Sequence, residues 1–157
     1  MFTINNTMTL PCPEGFQELN AEQRAQYRSL DGPPEYCLKD PDRQMVISAW
    51  YQKLPLIARM TLKDREIVGS LEKTLSKAMA PNGYRLSEFA QRDVGGREGT
   101  CFRYTYTAEG IPMAGEACFV RDGSVLYNLY VYYRQAREEE SLSVWESFLS
   151  TVRWTST

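Results

Sequence analysis

At 157 residues, with 43% hydrophobic and 24% charged content, the chain has the composition of an ordinary globular domain, long enough for one and short for two. Eighteen Lys and Arg against twenty Asp and Glu leave a net charge of -2, and the basic residues are dispersed, so no phosphate-tracking patch forms and nucleic acid is not an expected partner. There is no histidine, which removes Ser-His-Asp and Cys-His nucleophiles, histidine-ligated zinc and the side chain that shuttles protons most readily near neutrality.

The first residues, Met1 to Thr7, carry neither the basic start nor the apolar run of a signal peptide. No apolar stretch approaches the ~18–20 residues that span a bilayer, so a soluble, cytoplasmic protein is expected. Cys12, Cys37, Cys101 and Cys118 include no C-x-x-C pair and offer no zinc-ribbon or thioredoxin-like spacing. They read as reduced, small apolar residues, although Cys101 and Cys118 fall on strands joined by a hairpin and could face each other across the ladder.

In chain order, Thr7 to Leu10 begins as a short strand and is stopped by Pro11-Cys12-Pro13-Glu14-Gly15. A short helix follows, with Asn20 and Gln23 at capping-box spacing and Asp31-Gly32-Pro33-Pro34 as its terminator. Tyr36 to Leu38 and Gln44 to Gln52 read as a strand pair joined through Lys39-Asp40-Pro41-Asp42. The second strand alternates Met45, Ile47, Ala49 and Tyr51 on one face with Val46, Ser48 and Trp50 on the other. From Asp64 to Ala80 the residues Ile67, Val68, Leu71, Leu75, Ala78 and Met79 keep helical spacing, with Lys63, Arg65, Glu72, Lys73 and Lys77 at solvated positions, and Pro81-Asn82-Gly83 ends the helix.

Four β-candidates come next, Tyr84 to Val94, Thr100 to Ala108, Met113 to Arg121 and Ser124 to Tyr133. Their links are too short for parallel crossovers, which predicts an antiparallel meander, with Asp122-Gly123 as a type I′ turn. In the last strand Tyr127, Leu129, Val131 and Tyr133 share one face and Leu126, Asn128, Tyr130 and Tyr132 the other. Both faces are largely apolar, which calls for a cover on each side. From Gln135 the period changes again. Leu142, Trp145, Phe148, Leu149 and Val152 line one face of a closing helix that should lie across the meander, and Glu138, Glu139 and Glu140 suit its amino-terminal end.

The motifs with possible chemistry read as structure. Gly95-Gly96-Arg97-Glu98-Gly99 joins two strands, whereas a phosphate loop leads into a helix, so it is a hairpin. Asp40-Pro41-Asp42 offers two carboxylates but no EF-hand set of oxygens and is a turn. No serine sits in G-x-S-x-G. No cofactor, metal or catalytic constellation emerges, and the expectation is a protein that is not an enzyme.

The sequence Leu10-Pro11-x-Pro13-x-Gly15-Phe16, the helix around Leu71 and Leu75, and the run Val125 to Tyr133 leading to Trp145-x-x-Phe148-Leu149 together resemble the PsbP-like superfamily. That resemblance covers nearly the whole chain, as one domain over residues 1–157, and rests on pattern and order without a diagnostic signature. It implies an α+β fold, an α/β/α sandwich around an antiparallel sheet, and a binding or assembly role without catalytic residues. The expected function is a protein-binding or adaptor module, whose partner is a protein or an apolar peptide or helix held on an exposed part of the sheet or beside a helix. Trp50, Tyr104, Tyr130 and Tyr132 are the candidate contact residues, since aromatic side chains suit such surfaces. The alternatives are a small enzyme working without histidine and a homodimer built through the sheet.

Overall fold

The computed structural model describes residues 1–27 and 33–155. Its elements are β1 (Phe2–Ile4), β2 (Met8–Leu10), β3 (Gln17–Glu18), α1 (Ala21–Arg24), β4 (Tyr36–Asp40), β5 (Met45–Lys53), α2 (Leu56–Thr61), α3 (Asp64–Ala78), β6 (Arg85–Val94), β7 (Arg97–Ala108), β8 (Ile111–Asp122), β9 (Val125–Arg134), α4 (Glu138–Ser150) and β10 (Arg153–Trp154). Seven strands form one antiparallel sheet in the order β3-β4-β5-β9-β8-β7-β6, and β1, β2 and β10 form a small second sheet.

The meander is β6 to β9, as its short links require. Gly95-Gly96 makes a two-residue hairpin turn closed by the Val94–Arg97 pair, which agrees with the hairpin reading. At the last link the turn lies one residue later than predicted. Asp122 pairs with Val125, so Gly123 and Ser124 are the central residues, and only Gly123 has a positive φ, of 61°. Glycine first and an ordinary residue second is the type II′ pattern, where a type I′ turn was expected.

Both sheet faces are covered, as the two-faced last strand demands. One carries Met45, Ile47, Ala49, Tyr127, Leu129, Val131 and Tyr133 against Trp145, Phe148, Leu149 and Val152, with Ile4, Met8 and Leu10 of the small sheet in the same cluster. The other packs Trp50, Phe102, Tyr104, Phe119, Leu126 and Tyr130 against Ile67 and Val68 of α3, with Leu71, Leu75 and Met79 partly buried beside them. The fold is therefore the expected α+β sandwich.

Several local features differ from the reading. Asn20 and Gln23 do form a capping box, each side chain bonding the other residue's amide at 2.9 Å. Part of the expected terminator, Asp31-Gly32, lies outside the described residues. Glu72 is not solvated: it is buried, and Tyr84 donates to its Oε2 at 2.9 Å. The link expected over Lys39 to Asp42 lies later: Lys39 and Asp40 are paired in β4 and the turn covers residues 41–44, with Asp40 buried at its start, Oδ1 accepting from the Asp42 and Arg43 amides and Oδ2 paired with the Arg43 guanidinium. Burial acts to raise the Asp40 pKa, and the Arg43 and Asp42 donors overcome it, holding the carboxyl below its ordinary value. Both Asp40 carboxylate oxygens are thus engaged within the turn. Glu138 and Glu140 are likewise paired, with Arg103 at 3.4 Å and with Arg43 and Arg137 at 3.1 and 3.3 Å.

Candidate functional site

The four aromatic candidates lie on one face and come together there. Trp50 stacks on Tyr130 with ring centroids 4.6 Å apart, and Tyr132 follows Tyr130 at 6.4 Å. Tyr104 stands in the row Tyr104–Gly115–Tyr132 across β7, β8 and β9. Gly115 is needed in that row because a Cβ would stand 2.6 Å from the Tyr104 ring, which lies over the glycine. A second row of contacts crosses five strands, Phe89–Phe102–Phe119–Tyr130–Trp50, with successive centroids 4.6–6.0 Å apart.

These residues are not an exposed surface. Trp50, Tyr104 and Tyr130 are buried and Tyr132 is half-buried, since α3 and its own apolar stripe occupy the face they were expected to offer a partner. The expectation fails because a two-faced apolar strand shows that a cover exists without showing whose it is, and here the chain supplies it.

The packing has a pH signature. Burial pushes Tyr106 up to about 12 and drives Tyr84, Tyr104 and Tyr132 higher still, Tyr84 with help from the neighbouring Glu72 carboxylate. The folded chain therefore keeps phenolic protons that the unfolded chain gives up near pH 10, so stability is whole below that pH and is lost as the pH rises through the folded values. A urea midpoint level to about pH 9 and falling above about pH 10 is expected. A midpoint that stays level to about pH 11 would show these phenols to be solvated.

On the opposite face a second cluster surrounds Glu116, which is fully buried. Arg103 is its direct partner across β7 and β8, with Nε at 3.5 Å from Oε1. Arg92 donates through its terminal amino group to Oε1 at 2.8 Å and holds Nε 2.6 Å from Oε2. The Trp145 indole donates to Oε2 at 2.6 Å and the Cys118 thiol at 3.2 Å. Burial alone would lower the Arg92 pKa, and the Glu116 carboxylate reverses that, raising it. Burial, with Cys101 and Glu116 beside it, raises the Cys118 thiol well above its ordinary value, so it is not a nucleophile at neutral pH.

Cys101 and Cys118 do face each other across the ladder, and both are free thiols. Their sulfurs and a Glu116 oxygen lie within 4.8 Å of one another, a spacing that a metal ion could bridge. The surroundings fit a cation poorly. Both carboxylate oxygens are already engaged by donors, two guanidinium groups add positive charge, and all three residues are buried. The cluster is a polar knot that fastens α4 to the meander. Its sequence signal was one charge, Glu116, alternating with the apolar residues Ala114, Cys118 and Val120.

What the chain leaves open lies elsewhere. β6 is the terminal strand of the large sheet, and Leu86 and Phe89 on it are 40% and 39% exposed. The register shifts between Leu86 and Glu88, and the strand is regularly paired with β7 from Glu88 to Val94. On α2, no residue is buried, and Leu56, Ile57 and Met60 are 60%, 75% and 76% exposed. A groove of about 450 Å³ runs between α4 and the Pro11-to-Glu14 loop, lined by Pro11, Pro13, Val144 and Phe148 with Glu14 and Arg43 among the polar residues.

Fold and covers together define a PsbP-like architecture. Among solved structures, the chain is similar to cyanobacterial PsbP (CyanoP) from Synechocystis, at 14% identity and a TM-score of 0.67 over 94% of this chain and 86% of that one. It is also similar to LpqN of Mycobacterium tuberculosis, described as involved in cell envelope biogenesis, at 16% identity and a TM-score of 0.61 over 95% and 83% of the two chains. A Bacteroides thetaiotaomicron structure shares the fold at 11% identity and a TM-score of 0.59, over 99% of this chain but 48% of its own. No family model and no curated protein sequence matches the chain. At these identities the likeness establishes the fold alone.

Proposed function

We propose that this chain is a non-enzymatic binding module that takes an extended segment of a partner protein along β6. The observation that carries the reading is the open outer edge of β6, a ten-residue strand at the end of the sheet with exposed Leu86 and Phe89. An unpaired edge offers a row of backbone donors and acceptors, and alternate side chains beside it supply specificity, which is how strand addition works. Phe89 is the outer end of the aromatic row, in contact with Phe102 at 6.0 Å, so a partner residue beside it would extend an existing stack. The irregularity at Leu86 to Glu88 and the exposed charges Arg85, Glu88 and Asp93 guard the edge against indiscriminate pairing. The PsbP-like fold supports a binding role, and the absence of histidine together with the donor-saturated state of Glu116 supports the non-catalytic one.

The test is affinity capture from native extract with the wild-type chain and with Phe89→Lys, which places a charge on the edge at a residue that is 39% exposed, an unchanged thermal midpoint confirming that the variant is folded. A protein recovered in stoichiometric amount by the wild type and lost from Phe89→Lys is the expected result. Equal recovery by both would remove β6 from the interface. Concentration-dependent self-association abolished by the same variant would assign the edge to a second copy of the chain.

A further inference from the structure

We infer that α2 is a contact for an anionic lipid surface, a role separate from partner binding at β6 and resting on other residues. The helix is six residues long and none is buried, so apolar packing does not hold it in place. It is fastened by polar means. The Arg121 guanidinium donates to the carbonyls of Arg59 at 2.8 Å and Leu62 at 3.3 Å and pairs with Asp64 at 3.2 Å, while Leu54, buried just ahead of the helix, donates its amide to Ser124 at 2.7 Å. A rigid mount thus presents apolar side chains to the outside.

At 100° per residue, Leu56, Met60 and Ile57 fall within one arc of about 100°, Arg59 flanks it, and Ala58, half-buried, faces the protein. These three side chains are 60–76% exposed. A protein partner would have to bring a matching pocket, whereas a lipid interface moulds itself around any apolar projection.

Charge favours the same occupant. Lys53, Arg59, Lys63 and Arg65 lie within or close to α2 in sequence, all are exposed, and none has an acidic partner among the described residues. Of the two carboxylates next to them in sequence, Asp64 is paired with Arg121 and Glu66 accepts from the Lys63 amide at 3.2 Å, which leaves the cations in excess. A locally cationic, apolar tip on a chain whose net charge is -2 is complementary to an anionic headgroup layer. Crossing is not implied, since no helix among the described residues is long and apolar enough to span a bilayer.

The experiment is cosedimentation of the full chain with vesicles of phosphatidylcholine alone and of phosphatidylcholine containing about one-third phosphatidylglycerol. The expected result is binding to the mixed vesicles that weakens with added salt, with little to the neutral ones. Affinity for the mixed vesicles should fall about tenfold or more in Ile57→Ser/Met60→Ser and in Lys53→Glu/Lys63→Glu. All four positions are exposed, and an unchanged thermal midpoint confirms that each variant is folded. No sedimentation of the wild type with the mixed vesicles, or undiminished binding by both variants, overturns the inference. So does capture of a protein that depends on Ile57 and Met60 when vesicles are ignored, which would make α2 a protein contact. Phe89→Lys should bind vesicles as the wild type does, so failure at one surface is distinguishable from failure at the other.

Discussion

Glu116→Ala is expected to lower unfolding free energy by about 3 kcal/mol, read from urea denaturation at neutral pH. Removing one partner of a buried ion pair costs about 3–5 kcal/mol when the charge left behind has nowhere to go. Here Arg92 and Arg103 retain 19% and 22% side-chain exposure and keep Glu146 and Glu88 within 3.7 and 3.3 Å, which places the effect at the lower end. The loss also strands the Trp145 indole N–H and the Cys118 thiol in the core. Glu116→Gln keeps the shape and an acceptor and should cost less. A Glu116→Ala variant within about 0.5 kcal/mol of the wild type would show that the knot contributes nothing to stability.

Trp145→Ala should be the more damaging substitution, at about 3–5 kcal/mol. The side chain is fully buried, stacks on Phe148 with centroids 5.7 Å apart, and forms the middle of the α4 face that covers the meander. Trp145→Phe separates packing from polarity: it keeps most of the ring, loses the donor to Glu116, and should cost about 1–2 kcal/mol. Because Trp145 and Glu116 share one hydrogen bond, the double alanine variant should lose less than the two single losses combined, by about 1 kcal/mol. Strict additivity in that cycle would place the two residues in independent clusters.

Much of the architecture was legible because it is written in period and punctuation. The two faces of β5 and β9 alternate as read, and Trp145, Phe148, Leu149 and Val152 are all buried on the predicted helix face. Three of the shortest strands were not legible. β1, β3 and β10 have two or three residues each, too few for any alternation to register. They exist because neighbouring strands offer them a ladder. α2 escaped for the opposite reason, as Leu56, Ile57 and Met60 are apolar yet open to solvent, where apolar periodicity is ordinarily a sign of burial.

The functional reading was legible only in part. The aromatic residues singled out in the sequence, Trp50, Tyr104, Tyr130 and Tyr132, do converge on one face. Their burial could not be read, since it depends on where α3 lies relative to the sheet. Glu116 was visible as a charge on an apolar face. Its partners Arg92, Arg103 and Trp145 come from β6, β7 and α4, and only the register brings them within reach.

The small sheet bears on how the molecule comes into being. β2 is bordered by β1 from its own hairpin and by β10 from the opposite end of the chain, and Trp154 donates to the Val94 carbonyl at 2.8 Å beside the Gly95-Gly96 turn. During synthesis β2 must wait with one edge unfilled until β10 emerges, because a contact between distant segments cannot reward closure before both are present. β5 waits too, for β9. The hairpins of the meander can assemble as they are synthesised, while the small sheet closes only once β10 has been made.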